Sequence, residues 1–152
     1  MIKVLMVCHG NICRSPMAEF VLKDMVEKRG IAHQFKIASA ATSTEEIGNP
    51  VHHGTRNRLA KEGISVAGKY AIQMTKQDYD KYDYILAMDS YNIRNIGRII
   101  GADKLQSPKI KKLLDFSDNP RDIADPWYTG NFDDTYNDVV EGCEAFLAAL
   151  GK

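Results

Sequence analysis

The chain has 152 residues, enough for one domain with a real buried core. Its twenty basic and twenty acidic residues cancel, which argues against a dedicated binder of nucleic acid or of an anionic membrane. Three cysteines are too few for a disulfide framework and suit free thiols in a reducing cytoplasm, and no apolar run reaches the length of a membrane span.

The opening reads as a strand, Ile2 to Val7, with no charged leader ahead of it, so no signal peptide is expected. Cys8-His9-Gly10-Asn11-Ile12-Cys13-Arg14-Ser15-Pro16 follows. Ser15 stands where a helix cap belongs and Pro16 where the missing N–H costs nothing. That helix is expected to run to about Arg29, with Met17, Val21 and Met25 along one stripe, until Gly30 stops it. Phe35, Ile37 and Ala38 predict a second strand. A polar loop, Ala41 to Pro50, leads into a helix that reaches Glu62 and ends at Gly63. Tyr70 to Met74 reads as a short extended segment, and Thr75 with Asp78 as the capped start of a brief helix. Tyr84 to Ala87 is a strand; Asp89 or Ser90 then caps a helix that runs through Ile100 to Gly101. The last strand is expected near Lys112 to Leu114. Asp115 to Phe132, rich in Asp, Pro, Asn and Gly, reads as one long loop, and long loops in compact domains often carry function. Tyr136, Val139, Val140, Cys143, Phe146, Leu147 and Leu150 then keep a helical spacing to the end.

Strands alternate with helices throughout. That predicts a single α/β domain over residues 1–152, with a parallel sheet of about four strands and helices on both faces, joined by right-handed crossovers. Ligands in such sheets sit at the carboxyl ends of the strands, where the Cys8 loop lies.

The loop from Cys8 to Ser15 joins a strand to a helix N-terminus, a place where backbone N–H groups converge and the helix dipole favours anions. Gly10 allows a positive φ, and Asn11 tolerates one. Cations and a helix N-terminus favour the thiolate of a nearby cysteine, and a Ser15 hydroxyl donating to the sulfur would add to this. Arg14 offers paired planar donors for two phosphate oxygens. The expectation is a nucleophile and a clamp for phosphoryl transfer, with Cys8, His9, Gly10, Asn11, Ile12, Cys13, Arg14 and Ser15 around the phosphate. Thiolate attack also needs a group to protonate the leaving oxygen. Asp125-Pro126-Trp127-Tyr128 in the long loop offers the carboxylate, and its two aromatic rings suit the wall of a slot for an aromatic leaving group. An Asp-Pro turn that merely solvates remains open at this point. His52 and His53 are adjacent and would face about 100° apart on a helix, so no metal pair is expected.

The residues from Cys8 through Glu19 resemble the active-site loop of the low-molecular-weight protein tyrosine phosphatases. Ala87-Met88-Asp89 with Asn92, and Asp125-Pro126-Trp127-Tyr128, fit the same family, in order and spacing, across essentially the whole chain. The resemblance implies that Cys8 is the nucleophile, that Arg14 clamps phosphate, and that Asp125 is first acid, then base. It also implies that Asn11 and Ser15 shape the loop, and that Cys13 can form a disulfide with the nucleophile. The implied substrate is a tyrosine-phosphorylated protein, the product is inorganic phosphate, and no metal or cofactor takes part. A cytoplasmic monomer or weak homodimer is expected, with no nucleic-acid or membrane partner. The pocket wall is expected to comprise Glu45, where some members carry an aromatic residue, together with Ile47, Trp127 and Tyr128. Some members support the loop with a His near mid-chain; here Gly68-Lys69-Tyr70 stands there, and Lys69 is read as solvated.

Three rivals share the fold or the loop. A thiol-relay arsenate reductase needs two further mid-chain cysteines, and none lies between Cys13 and Cys143. Protein arginine phosphatases tend to carry Thr where Ile12 stands. A phosphocarrier would need neither Arg14 nor Asp125.

Overall fold

The computed structural model describes residues 1–152. Four strands, β1 (Ile2–Cys8), β2 (Phe35–Ala41), β3 (Tyr84–Ala87) and β4 (Ile110–Lys112), form one parallel sheet in the order β2-β1-β3-β4. The six helices are α1 (Arg14–Lys28), α2 (His53–Ala60), α3 (Asp78–Lys81), α4 (Ser90–Ile100), α5 (Pro126–Thr129) and α6 (Phe132–Ala149). The α/β class and the four-stranded parallel sheet are as expected.

Side chains alternate across a strand, so the central strand β1 feeds two cores at once. Val4, Met6 and Cys8 pack with Met17, Val21 and Leu22 of α1 and with Val139, Cys143 and Phe146 of α6. Leu5 and Val7 pack instead with Ile85 and Ala87 of β3 and with Ile96 and Ile100 of α4. Two-sided burial explains why the strand reads as a continuous apolar run. It also fixes the register, since a one-residue slip would exchange the two faces.

Several boundaries differ from expectation for physical reasons. Helix α1 begins at Arg14 rather than Pro16, with Cys13 before it and no side-chain cap. Ser15 is turned to the Cys8 sulfur instead. Helix α2 ends at Ala60, and its cap is His52. Strand β4 lies two residues earlier than predicted: Leu113 and Leu114 are buried, but in a 3-10 turn rather than a strand. The long loop is not structureless, since it contains that turn's end and α5. Tyr70 to Met74 is extended, bridging Tyr70 to Pro50 and Gln73 to Ala41. No helix is long and apolar enough to cross a membrane.

Helix α6 packs so closely on the 3-10 turn that Gly142 has no room for a side chain. A Cβ there would stand 2.5 Å from Leu113 Cγ, which is itself wholly buried. Gly142→Ala is therefore expected to destabilise the fold by about 1–3 kcal/mol despite its better helix propensity. Urea unfolding at fixed m-value checks this; a variant as stable as the parent would mean that the turn gives way freely.

Candidate active site

Strand β1 delivers Cys8 to the carboxyl edge of the sheet, and the chain turns back on itself before α1 starts at Arg14. Asn11 makes that turn. Its φ of 58° is the single positive value outside glycine, and its N–H donates to Cys8 Sγ at 3.3 Å. Of the two residues expected to permit the turn, Asn11 takes it and Gly10 does not. Gly10 matters for space, since a Cβ there would stand 3.3 Å from Glu46 Cγ.

The Asn11 side chain lies behind the loop. Its amide donates to Ser15 Oγ (2.7 Å) and Ser39 Oγ (2.9 Å), while its carbonyl accepts the Ile72 N–H (3.2 Å). Proton accounting then orients the rest. Ser15 Oγ accepts from Asn11, so its own proton is free for Cys8 Sγ, 3.0 Å away. The sulfur thus meets an N–H and an O–H, both better partners for an anion than for a thiol. Four loop carbonyls, which would repel an oxyanion, are engaged by other parts of the chain. Cys8 and His9 carbonyls accept from the N–H groups of Thr42 and Ser43 (3.0 Å each), Ile12 O from His52 N–H (2.8 Å), and Cys13 O from Thr55 Oγ1 (3.0 Å).

Arg14 is almost wholly buried, with 3 % of its side chain exposed. One guanidinium nitrogen donates to Asp89 Oδ2 (2.6 Å) and to the Ile123 carbonyl (2.8 Å); the other reaches Asp125 Oδ2 at 3.4 Å. Burial works against its charge, but Cys8, Asp89 and Asp125 outweigh burial and hold its pKa above the ordinary arginine value. Asp89 does two things, since it also caps α4 in a reciprocal box with Asn92. Sequence reading placed Asp89 as a cap and within the segment that fits the family, but not against Arg14; its position just past the end of β3 was the available signal.

Asp125 caps α5. Its Oδ1 accepts the Trp127 N–H (3.0 Å), and Pro126 is the first helical residue. This leaves Oδ2 beside Arg14, at the pocket. One pocket therefore brings together Cys8, Ile12, Arg14 and Asp125 with Glu45, Glu46, Trp127 and Tyr128. His9 and Cys13 line it too, whereas Asn11 and Ser15 do not reach its surface. The His9 side chain bonds Glu45 at 2.8 Å, at the pocket's edge. The expected wall residue Ile47 is displaced: it is 51 % exposed and Glu46 stands in the pocket. Both residues sit in a tight turn, closed by Asn49 N–H on Glu46 O and pinned by Gly48 N–H on Ala71 O.

Lys69 is not solvated, contrary to expectation. Only 11 % of its side chain is exposed; its ammonium donates to Ser39 O at 2.9 Å and lies 3.6 Å from Glu19 Oε1. Burial lowers its pKa, with Glu19 opposing the shift. Glu19 is also buried and takes the Ser39 hydroxyl proton and a contact from Lys23. This chain of Lys69, Glu19, Ser39 and Asn11 leads to Ser15 and the sulfur. The sequence held no pattern for it, because its members come from four separate elements.

The other thiols differ from Cys8. Burial, then the proximity of Cys8 and Asp125, pushes the Cys13 thiol up to about 12. Cys143 is fully buried on the inner stripe of α6, as its spacing implied, and burial raises its pKa as well. His52 and His53 stack at 4.2 Å, and no group of three or more His, Cys, Asp or Glu is arranged to hold a metal ion.

Comparison with known proteins fits this geometry. Residues 3–152 match the family model described as low molecular weight phosphotyrosine protein phosphatase. The low molecular weight protein-tyrosine-phosphatase YfkJ of Bacillus subtilis is 44 % identical over 100 % of this chain and 97 % of its own. Its crystal structure superposes with a TM-score of 0.93, at 45 % identity over 99 % of this chain and 95 % of that one. The low molecular weight phosphotyrosine protein phosphatase of Mus musculus is 40 % identical over 95 % of this chain and 92 % of its own. A Drosophila arginine phosphatase shares the fold at a TM-score of 0.88, with 29 % identity over 99 % of each chain.

Proposed function

The chain belongs to the low molecular weight phosphotyrosine protein phosphatase family, and from that premise we propose that residues 1–152 act as one phosphatase domain that hydrolyses protein phosphotyrosine. The observation that carries the residue roles is the convergence of Cys8, Arg14 and Asp125 on a single pocket.

The reaction has two displacements. Cys8 Sγ attacks phosphorus, the P–O bond to the tyrosyl ring breaks, and Asp125 gives its proton to the departing phenolate oxygen. Water then attacks the phosphocysteine. The Asp125 carboxylate takes a proton from that water, the P–S bond breaks, and the sulfur leaves as thiolate with inorganic phosphate as product. Arg14 and the loop N–H groups stabilise the equatorial oxygens in both steps. Neither step calls for a metal or cofactor. All the groups come from one chain, which fits a monomer or weak homodimer. Three free thiols fit the cytoplasm.

Hydrolysis of an aryl phosphate without added metal, compared with phosphoarginine and with arsenate reduction, tests this reading. Aryl phosphate is expected to win by a wide margin. Ile12 gives the pocket an apolar surface suited to a ring, and the buried Cys143 offers no relay for a reductase. Faster turnover of phosphoarginine would overturn the tyrosine assignment.

We also propose that Cys13 protects the nucleophile. A thiolate oxidises first to the sulfenic acid, and a neighbouring thiol can condense with it, releasing water and forming a disulfide. Cys13 lines the same pocket as Cys8, within the same loop. Peroxide is expected to inactivate the enzyme reversibly, with dithiol restoring activity. In Cys13→Ser the basal rate should change little and the oxidative loss should become mostly irreversible. Equal rescue of both proteins by dithiol would end this role.

A further inference from the structure

Helix α5 carries the acid but spans only Pro126–Thr129, too short to hold its own shape. Within it, Asp125 is tied to Trp127 N–H, and outside it to Arg14 at 3.4 Å, a contact for which a bound phosphate competes. Trp127 is 58 % exposed, and the aromatic ring it meets is that of His52, edge to face at 5.6 Å and 75°.

His52 itself is fixed from several directions. Its ring stacks on Phe132 at the start of α6 (5.3 Å, 11°) and on His53. Its Nδ1 accepts the Gly54 N–H (3.0 Å), and its backbone N–H donates to Ile12 O in the Cys8 loop (2.8 Å). Phe132 packs so tightly that a Cβ on Gly54 would stand 2.3 Å from the ring. One residue thus joins the nucleophile loop, α2 and α6, and its ring meets the acid-bearing turn. A cap alone would be better served by Asp, Asn or Ser. What imidazole adds is the ring.

We propose that His52 is a positioning residue for Asp125, its ring serving as the shelf on which the Trp127 turn rests. This rests on Asp125 being the general acid.

Two variants separate the cap from the shelf. His52→Asp keeps an acceptor for Gly54 N–H and removes the ring; His52→Phe keeps the ring and removes the acceptor. The readouts are kcat/KM for phenyl phosphate and for 2,4-dinitrophenyl phosphate, and the fluorescence anisotropy decay of Trp127, the only tryptophan. In His52→Asp the decay is expected to quicken, and phenyl phosphate to lose about tenfold more than the dinitrophenyl ester, because a misplaced acid matters only where the leaving group needs a proton. His52→Phe is expected to keep the parent's ratio and its slow decay. Equal losses on both esters in His52→Asp, or an unchanged Trp127 decay, would reduce His52 to a helix cap and overturn the proposal, whether or not His52→Phe folds. Asp125→Asn measured alongside separates two failures. If it depends on the leaving group while His52→Asp does not, the shelf alone fails; if it does not, the acid assignment fails and the shelf falls with it.

Discussion

Cys8→Ser is expected to lower aryl phosphate turnover by at least about 10⁴-fold while leaving phosphate affinity within a few-fold of the parent. The two halves of this expectation come from different parts of the site. Reactivity depends on a sulfur nucleophile that is met by Asn11 N–H and the Ser15 hydroxyl. A serine oxygen at that place is held by the same donors but keeps its proton, since Asp125 enters that step as the acid. Binding depends on Arg14 and the loop N–H groups, which Asp89, Ile123, Ser39 and Ile72 hold by contacts that do not pass through the sulfur. Those contacts survive the change. Titration with inorganic phosphate followed by calorimetry checks affinity, and stopped-flow hydrolysis checks the rate. Retained hydrolysis would move the nucleophile elsewhere. Loss of binding together with rate would mean that the sulfur holds the loop's shape.

Asp125→Asn is expected to cut kcat/KM for phenyl phosphate by about 10²–10³-fold and for 2,4-dinitrophenyl phosphate by only a few-fold. The dinitrophenolate leaves without a proton, so the first step barely needs the acid. The second step has no such escape, because the water still requires a base. With the dinitrophenyl ester the variant should therefore release a burst of phenolate equal to the enzyme present and then turn over slowly. Asn keeps the cap on Trp127 N–H, so α5 should survive. Equal losses on both esters and no burst would make Asp125 a structural cap.

The parallel sheet was legible because buried strands read as apolar runs and the helices between them as stripes. Tyr84–Ala87 and the cap of α4 at Asp89 stood where the residues implied. The last strand was misplaced because Leu113 and Leu114 carry as strong an apolar signal as a strand while lying in a 3-10 turn. Within the site, Cys8, Arg14 and Asp125 could be found because each sits beside a local signature, a strand end or an Asp-Pro start. Lys69 could not. Its burial depends on Glu19 and Ser39, distant in sequence, and a lysine is exposed in most settings. Glu46 and not Ile47 lines the pocket because the course of the turn is set by its hydrogen bonds, here from Gly48 and Asn49, and not by apolar character. His52 was read only as half of a histidine pair; its ring contacts join segments that the sequence keeps far apart.

The central claim is that phosphate passes through the Cys8 sulfur. Mixing the enzyme with excess 2,4-dinitrophenyl phosphate, denaturing it within milliseconds and mapping its peptides by mass tests that claim. One phosphate on the peptide that holds Cys8, absent from Cys8→Ser, is the predicted result. Phosphate on His9 or any other residue, or steady turnover with no phosphorylated peptide at any time, would contradict it.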